Sequence, residues 1–112
     1  MAPLAAALAA LTITIWPQGT DGASQRWTLR CAPTGGSHPS RSAACTKLLA
    51  TPNPFRPVPR GSVCTEIFGG PDVAIVTGRF RGARIWAKFQ LRNGCEISRW
   101  KRVVPLLPSL DA

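Results

Sequence analysis

Four cysteines, Cys31, Cys45, Cys64 and Cys95, constrain this chain of 112 residues more than any other feature. A domain of this size has a limited hydrophobic interior, so an even count of cysteines reads as a disulfide framework. Zinc is the competing use of four thiols. No pair has the C-x-x-C spacing, however, and the one histidine, His38, stands in a loop beside Pro39. No metal site and no cofactor is expected. The cysteines alone leave three pairings open. Closing Cys31 to Cys45 would make a ring of about 15 residues, worth about 3 kcal/mol on the chain-entropy model. Closing Cys64 to Cys95 would tether a central loop to a distant strand.

Disulfides imply an oxidising compartment, and the N-terminus is consistent with export. The first fifteen residues, MAPLAAALAALTITI, carry no charge. Such a run is shorter than the about 20 apolar residues that a membrane-spanning helix needs. It fits the apolar region of a secretory signal peptide, ended by Trp16-Pro17-Gln18-Gly19. No Lys or Arg precedes it, and no clean Ala-x-Ala site follows. A buried first strand is the competing reading. The export reading assigns residues 1–24 to a signal peptide and leader and residues 25–112 to one extracellular domain, with no membrane attachment after export.

Within that domain, Gln25 to Cys31 alternates, with Trp27, Leu29 and Cys31 on one face, and predicts a strand. Residues 32–40 are turn-rich. Ser40 or Ser42 can cap a short helix through Ala50 in which Ala44, Cys45, Leu48 and Leu49 share a face, with Cys45 toward the core. Thr51 to Gly61 holds four prolines and predicts a stiff connector anchored by Phe55 and Val58. Val73 to Phe80 and Ala83 to Leu91 predict a hairpin closed at Arg81-Gly82. Asn93-Gly94 predicts a second turn, and Glu96 to Val104 a last strand. The fold class is α+β, an antiparallel sheet with one or two short helices.

Charge is strongly positive, fourteen Lys and Arg against five acids, net +9. Eight of the cations fall between Arg79 and Arg102, interleaved with Trp86 and Trp100. Such a stripe could neutralise phosphates. With no nucleic-acid motif beside it, a solvated sheet face is the preferred reading, and no nucleic-acid partner is expected. One histidine, no tyrosine and five scattered acids leave no triad and no carboxylate pair, so the chain is not expected to be an enzyme. Ser37 and His38 are neighbours only in sequence, and a loop-packing role suits His38 better. One segment stays unexplained by folding. Val63-Cys64-Thr65-Glu66-Ile67-Phe68-Gly69-Gly70-Pro71 sets two large apolar residues beside a charge in a loop.

The motifs TLRCAPTGGSHP (28–39), AACTKL (43–48), CTEIFGGP (64–71), VTGRFRG (76–82) and NGCEISRW (93–100) occur in an order and spacing that resembles the Streptomyces subtilisin inhibitor family, the subtilisin inhibitor-like serine protease inhibitors. The resemblance implies a sheet of about five strands with two short helices and the disulfides Cys31–Cys45 and Cys64–Cys95. It implies a secreted inhibitor, usually a homodimer, that binds serine endopeptidases as a slowly cleaved substrate. Transferred by its distance from the loop cysteine, the reactive bond is Glu66–Ile67. Val63, Cys64 and Thr65 would contact the protease upstream of it and Phe68 downstream. The family prefers Met, Leu or Lys where this chain has Glu66. Two targets follow: a glutamate-specific protease with a cationic pocket, or a subtilisin-like protease whose apolar pocket takes Glu66 poorly. The rival function is a basic secreted binding module on the same fold, without inhibitory activity.

Overall fold

Leu11, Ile13 and Ile15 alternate with Thr12 and Thr14, and a period of two makes the apolar N-terminal run a strand. The computed structural model of the chain describes residues 7–110. Its elements are β1 (Ala9–Trp16), β2 (Gln25–Cys31), α1 (Arg41–Ala50), β3 (Val73–Phe80), β4 (Ala83–Phe89) and α2 (Gly94–Arg102). The four strands form an antiparallel sheet in the order β2-β1-β3-β4.

That order gives the apolar N-terminal run a place in the sheet. β1 lies inside the sheet, paired along its length with β2 on one side and β3 on the other. Ala9, Leu11, Ile13 and Ile15 are all buried in the core. Cutting the chain after residue 24 would remove the strand that joins β2 to the rest of the sheet. Residues 1–6 of the expected signal, and 111–112 of the expected domain, lie outside the described residues. Truncating Ile13 to alanine should cost about 2–5 kcal/mol, the usual range for emptying a buried aliphatic site. Chemical denaturation would measure it; a loss below about 0.5 kcal/mol would mean that β1 is not part of the cooperative core.

Both helices add to the core on one face of the sheet. α1 contributes Ala44, Cys45 and Leu48, and α2 contributes Trp100. The Cys31–Cys45 bond ties β2 to α1. His38 is buried: its Nδ1 accepts from the Ser40 amide at 2.9 Å, so Nε2 carries the proton and donates to Leu106 O at 2.8 Å. It packs the loop, and Trp27 meets its ring edge-on. Arg81 and Gly82 both have positive φ, as a two-residue hairpin turn between right-twisted strands requires.

Residues 96–102 are helical and not a last strand, which leaves four strands where about five were expected. Asn93 caps that helix, its side chain accepting from the Glu96 amide at 2.9 Å, with Glu96 in the first turn and Arg99, Lys101 and Arg102 in the last. Those charges suit the helix dipole at both ends.

Candidate functional site

Residues 62–70 belong to no strand or helix. Val63, Ile67 and Phe68 are exposed by 99%, 57% and 72%, so these apolar side chains do not fold into the core. Exposed apolar groups of this size, grouped on one loop, mark a surface that meets a partner. No hydrogen bond from the rest of the chain reaches Glu66, Ile67 or Phe68 among the described residues. Their backbone groups are therefore free to pair with another chain, as an extended peptide does when it adds to a strand.

The loop is exposed but held. On the upstream side, Cys64 is bonded to Cys95 at the start of α2, with a Cα separation of 5.3 Å. The Gly94 amide donates to Thr65 O at 2.9 Å. On the downstream side, the Gly69 amide donates to Leu91 O at 2.7 Å. Only Glu66, Ile67 and Phe68 lie between these moorings. Glycine at two positions lets the loop sit so close without displacing a neighbouring side chain. A Cβ on Gly94 would run into Thr65 Oγ1, and one on Gly69 would lie 2.8 Å from Ile97 Cδ1.

The proline connector that feeds the loop is fastened from beneath by Arg99. This guanidinium is buried, with Nε donating to Arg56 O at 2.8 Å and Nη1 to Lys88 O at 2.6 Å. It lies 4.0 Å over the Phe89 ring. Burial pushes Arg99 below the ordinary arginine value, opposed by the nearby Glu96 carboxylate. The connector is also held at Pro52, whose carbonyl accepts from Arg102, and at Phe55, which meets Phe80 edge-on. Replacing Arg99 with methionine would leave those carbonyls without a charged donor. Hydrogen bonds to charged groups contribute about 1.5–3 kcal/mol each, so the variant should lose about 3 kcal/mol of unfolding free energy in urea. Lysine, lacking the fork, should recover only part of it. No loss would remove Arg99 from the support of the loop.

The structure thus brings Val63 through Phe68 and the Cys64–Cys95 bond into one site, and places Cys31–Cys45 at the opposite edge of the sheet. Reasoning from the sequence missed Gly94, Leu91 and Arg99. The capping pattern of Asn93 and Glu96 could have revealed the helix that carries Arg99. Among the described residues, no group of His, Cys, Asp and Glu could hold a metal ion, and no helix is long and apolar enough to cross a membrane.

A family model described as subtilisin inhibitor-like matches residues 5–93. A curated relative, subtilisin inhibitor-like protein 1 of Streptomyces cacaoi, is 35% identical over 85 residues, covering 70% of this chain and 76% of the relative. The family match takes in β1 as well as the exposed loop, and stops before Cys95 and α2.

Proposed function

The chain belongs to the subtilisin inhibitor-like family, and from that premise we propose that it is a secreted inhibitor of serine endopeptidases that offers Glu66–Ile67 as a stalled substrate bond. The observation that carries this is the mooring of the loop on both sides of three exposed residues, Glu66, Ile67 and Phe68. A loop already moored on both sides loses little further freedom on binding, so more of the contact energy appears as affinity. An interface of about 1,600 Å² is then enough for tight association.

The same moorings oppose turnover. The protease serine Oγ attacks the Glu66 carbonyl carbon, the C–N bond to Ile67 breaks, and the Ile67 nitrogen takes a proton from the protease histidine. In a free substrate the amine half diffuses away. Here Gly69 remains bonded to Leu91 and Cys64 to Cys95, so the new amine stays beside the acyl ester. Re-formation of the peptide bond, with loss of that proton and return of the serine, competes with attack by water.

Glu66 sets the target. Placing a carboxylate in an apolar pocket is costly unless it is paired, so the reading assigns a protease with a cationic specificity pocket in preference to a subtilisin-like one. Secretion rests on the two cystines, which persist in oxidising surroundings. Titrating the purified chain against a glutamate-specific endopeptidase, subtilisin and trypsin tests the proposal. Stoichiometric inhibition of the first, with slow appearance of a chain cut between Glu66 and Ile67, is expected. Rapid cleavage elsewhere by that first enzyme, or no inhibition of any of the three, would overturn it.

A further inference from the structure

The two halves of this molecule are joined covalently by the proline connector alone. Cys31–Cys45 closes within residues 1–60 and Cys64–Cys95 within residues 61–112, so neither cystine spans the connector. The first half supplies β1, β2 and α1, and the second supplies β3, β4 and α2. Each half alone therefore holds two strands, and a two-stranded sheet is marginal by itself in water. Across the divide the halves meet through the β1–β3 pairing, the shared core and hydrogen bonds such as that of His38 to Leu106 O. A cut in the connector would leave only those non-covalent ties.

The connector also carries the cationic bond that is easiest to reach. Of the fourteen Lys and Arg, all but Arg56, Arg60, Arg81 and Arg92 lie inside strands or helices, whose backbone must come loose before a protease can take it. Arg56 precedes Pro57, whose rigid ring and missing N–H spoil the downstream side of a scissile bond. Arg81 is fixed in the hairpin turn, its amide donating to Leu8 O at 2.8 Å and its guanidinium to Leu49 O at 3.2 Å. Arg92 stands between Leu91, which moors the loop, and Asn93, which caps α2. Arg60 has none of these ties. Residues 59–63 are all exposed, and no hydrogen bond reaches Arg60 or Gly61 among the described residues. The pair forms the middle of a turn closed by Ser62, whose amide and hydroxyl both donate to Pro59 O, at 3.2 and 2.6 Å. Gly61 has a φ of +80°, and a Cβ there would meet nothing within 4 Å. Exposed loop tips of this kind are where proteases nick folded chains.

We infer that Arg60–Gly61 is a processing bond for an arginine-specific serine endopeptidase, and that its cleavage makes the molecule dissociable. Hydrolysis breaks the C–N bond between Arg60 and Gly61. Water supplies OH to the Arg60 carbonyl carbon and a proton to the Gly61 nitrogen, leaving a carboxylate and an ammonium. The cut does not stall as a bond at Glu66–Ile67 would, because Gly61 has no mooring of its own and its new amine is free to leave. The fold then persists only as a complex of residues 1–60 with residues 61–112, and its stability falls on dilution. For an inhibitor this is an off switch, thrown by a protease of different specificity from the one that Glu66 engages.

The test treats the full chain with a catalytic amount of trypsin under native conditions. A first cut at Arg60–Gly61 is expected, placed by mass spectrometry, with the two fragments running apart on a denaturing gel without reductant. The nicked chain should elute with the uncut chain at micromolar concentration. Diluting it from about 10 µM to about 100 nM should lower its melting temperature, read by tryptophan fluorescence, by about 10 °C, while that of the uncut chain stays constant. Arg60→Gln should slow the first cut about a hundredfold or more at an unchanged melting temperature of the uncut chain, and Arg81→Gln should not slow it. A first cut elsewhere, resistance of the chain to trypsin, or equal cutting of Arg60→Gln would overturn the site. A nicked chain whose melting temperature ignores dilution would overturn the dissociation. Every readout is a cut position or a melting temperature, so this inference and the inhibitor reading stand or fall separately.

Discussion

Changing Glu66 to lysine should move inhibition from glutamate-specific to trypsin-like proteases. The side chain is exposed and makes no contact that the fold needs, so stability should stay within about 0.5 kcal/mol. Its effect is confined to the partner's pocket. Setting a charge against a like-charged pocket costs several kcal/mol, and about 1.4 kcal/mol is a factor of ten in affinity. The inhibition constant for a glutamate-specific enzyme should therefore rise about a thousandfold, with a gain of similar size against trypsin. Parallel titrations of both chains against both enzymes read the exchange. An unchanged target profile would place the reactive bond elsewhere in the loop.

Replacing Cys64 and Cys95 together by serine should turn the inhibitor into a substrate. Loss of a ring of this length costs about 3.5–4 kcal/mol on the chain-entropy model, leaving the sheet and the Cys31–Cys45 bond intact. The larger effect is local. Thr65 would keep only its single bond from Gly94, and ordering about three freed residues on binding costs about 1–2 kcal/mol each. Inhibition should weaken by about two to four powers of ten, and cleavage should run to completion. Removing Cys31 and Cys45 is the control. It should cost about 3 kcal/mol of stability yet leave inhibition intact below its melting temperature. If both pairs affected inhibition alike, global unfolding and not loop release would be the cause.

Much of this was legible in the sequence because it rests on local rules. The alternation of Ile85, Ala87 and Phe89 with Arg84, Trp86 and Lys88 is the β4 strand as folded. The turn chemistry of Arg81-Gly82 is a hairpin, and Ala44, Cys45 and Leu48 of α1 face inward, whereas Leu49, expected on the same face, is exposed. Two elements are harder to read from local pattern. β1 lies at the centre of the sheet, buried on one side, and is built from Ala, Leu, Ile and Thr without charge. Over eight residues, such a strand has the composition of a signal peptide core, and only the Thr12 and Thr14 period sets it apart. α2 is a helix over Gly94–Arg102 where a last strand from Glu96 to Val104 is expected. The capping of Asn93 decides for a helix, and burial of Arg99 against backbone carbonyls follows from tertiary contacts that no local pattern encodes. The exposure of Ile67 and Phe68 is equally non-local, since an apolar pair next to a cystine could as well have turned inward.

The three moorings of the loop end on Leu91, Gly94 and Cys95, within a stretch of five residues. The chemistry that chooses a target and the scaffold that holds the bait are thus written in separate stretches of sequence. On the proposed reading, a change at positions 66 to 68 would alter the target without removing a mooring at 91 to 95. One short pentapeptide could serve a lineage of inhibitors with unrelated prey.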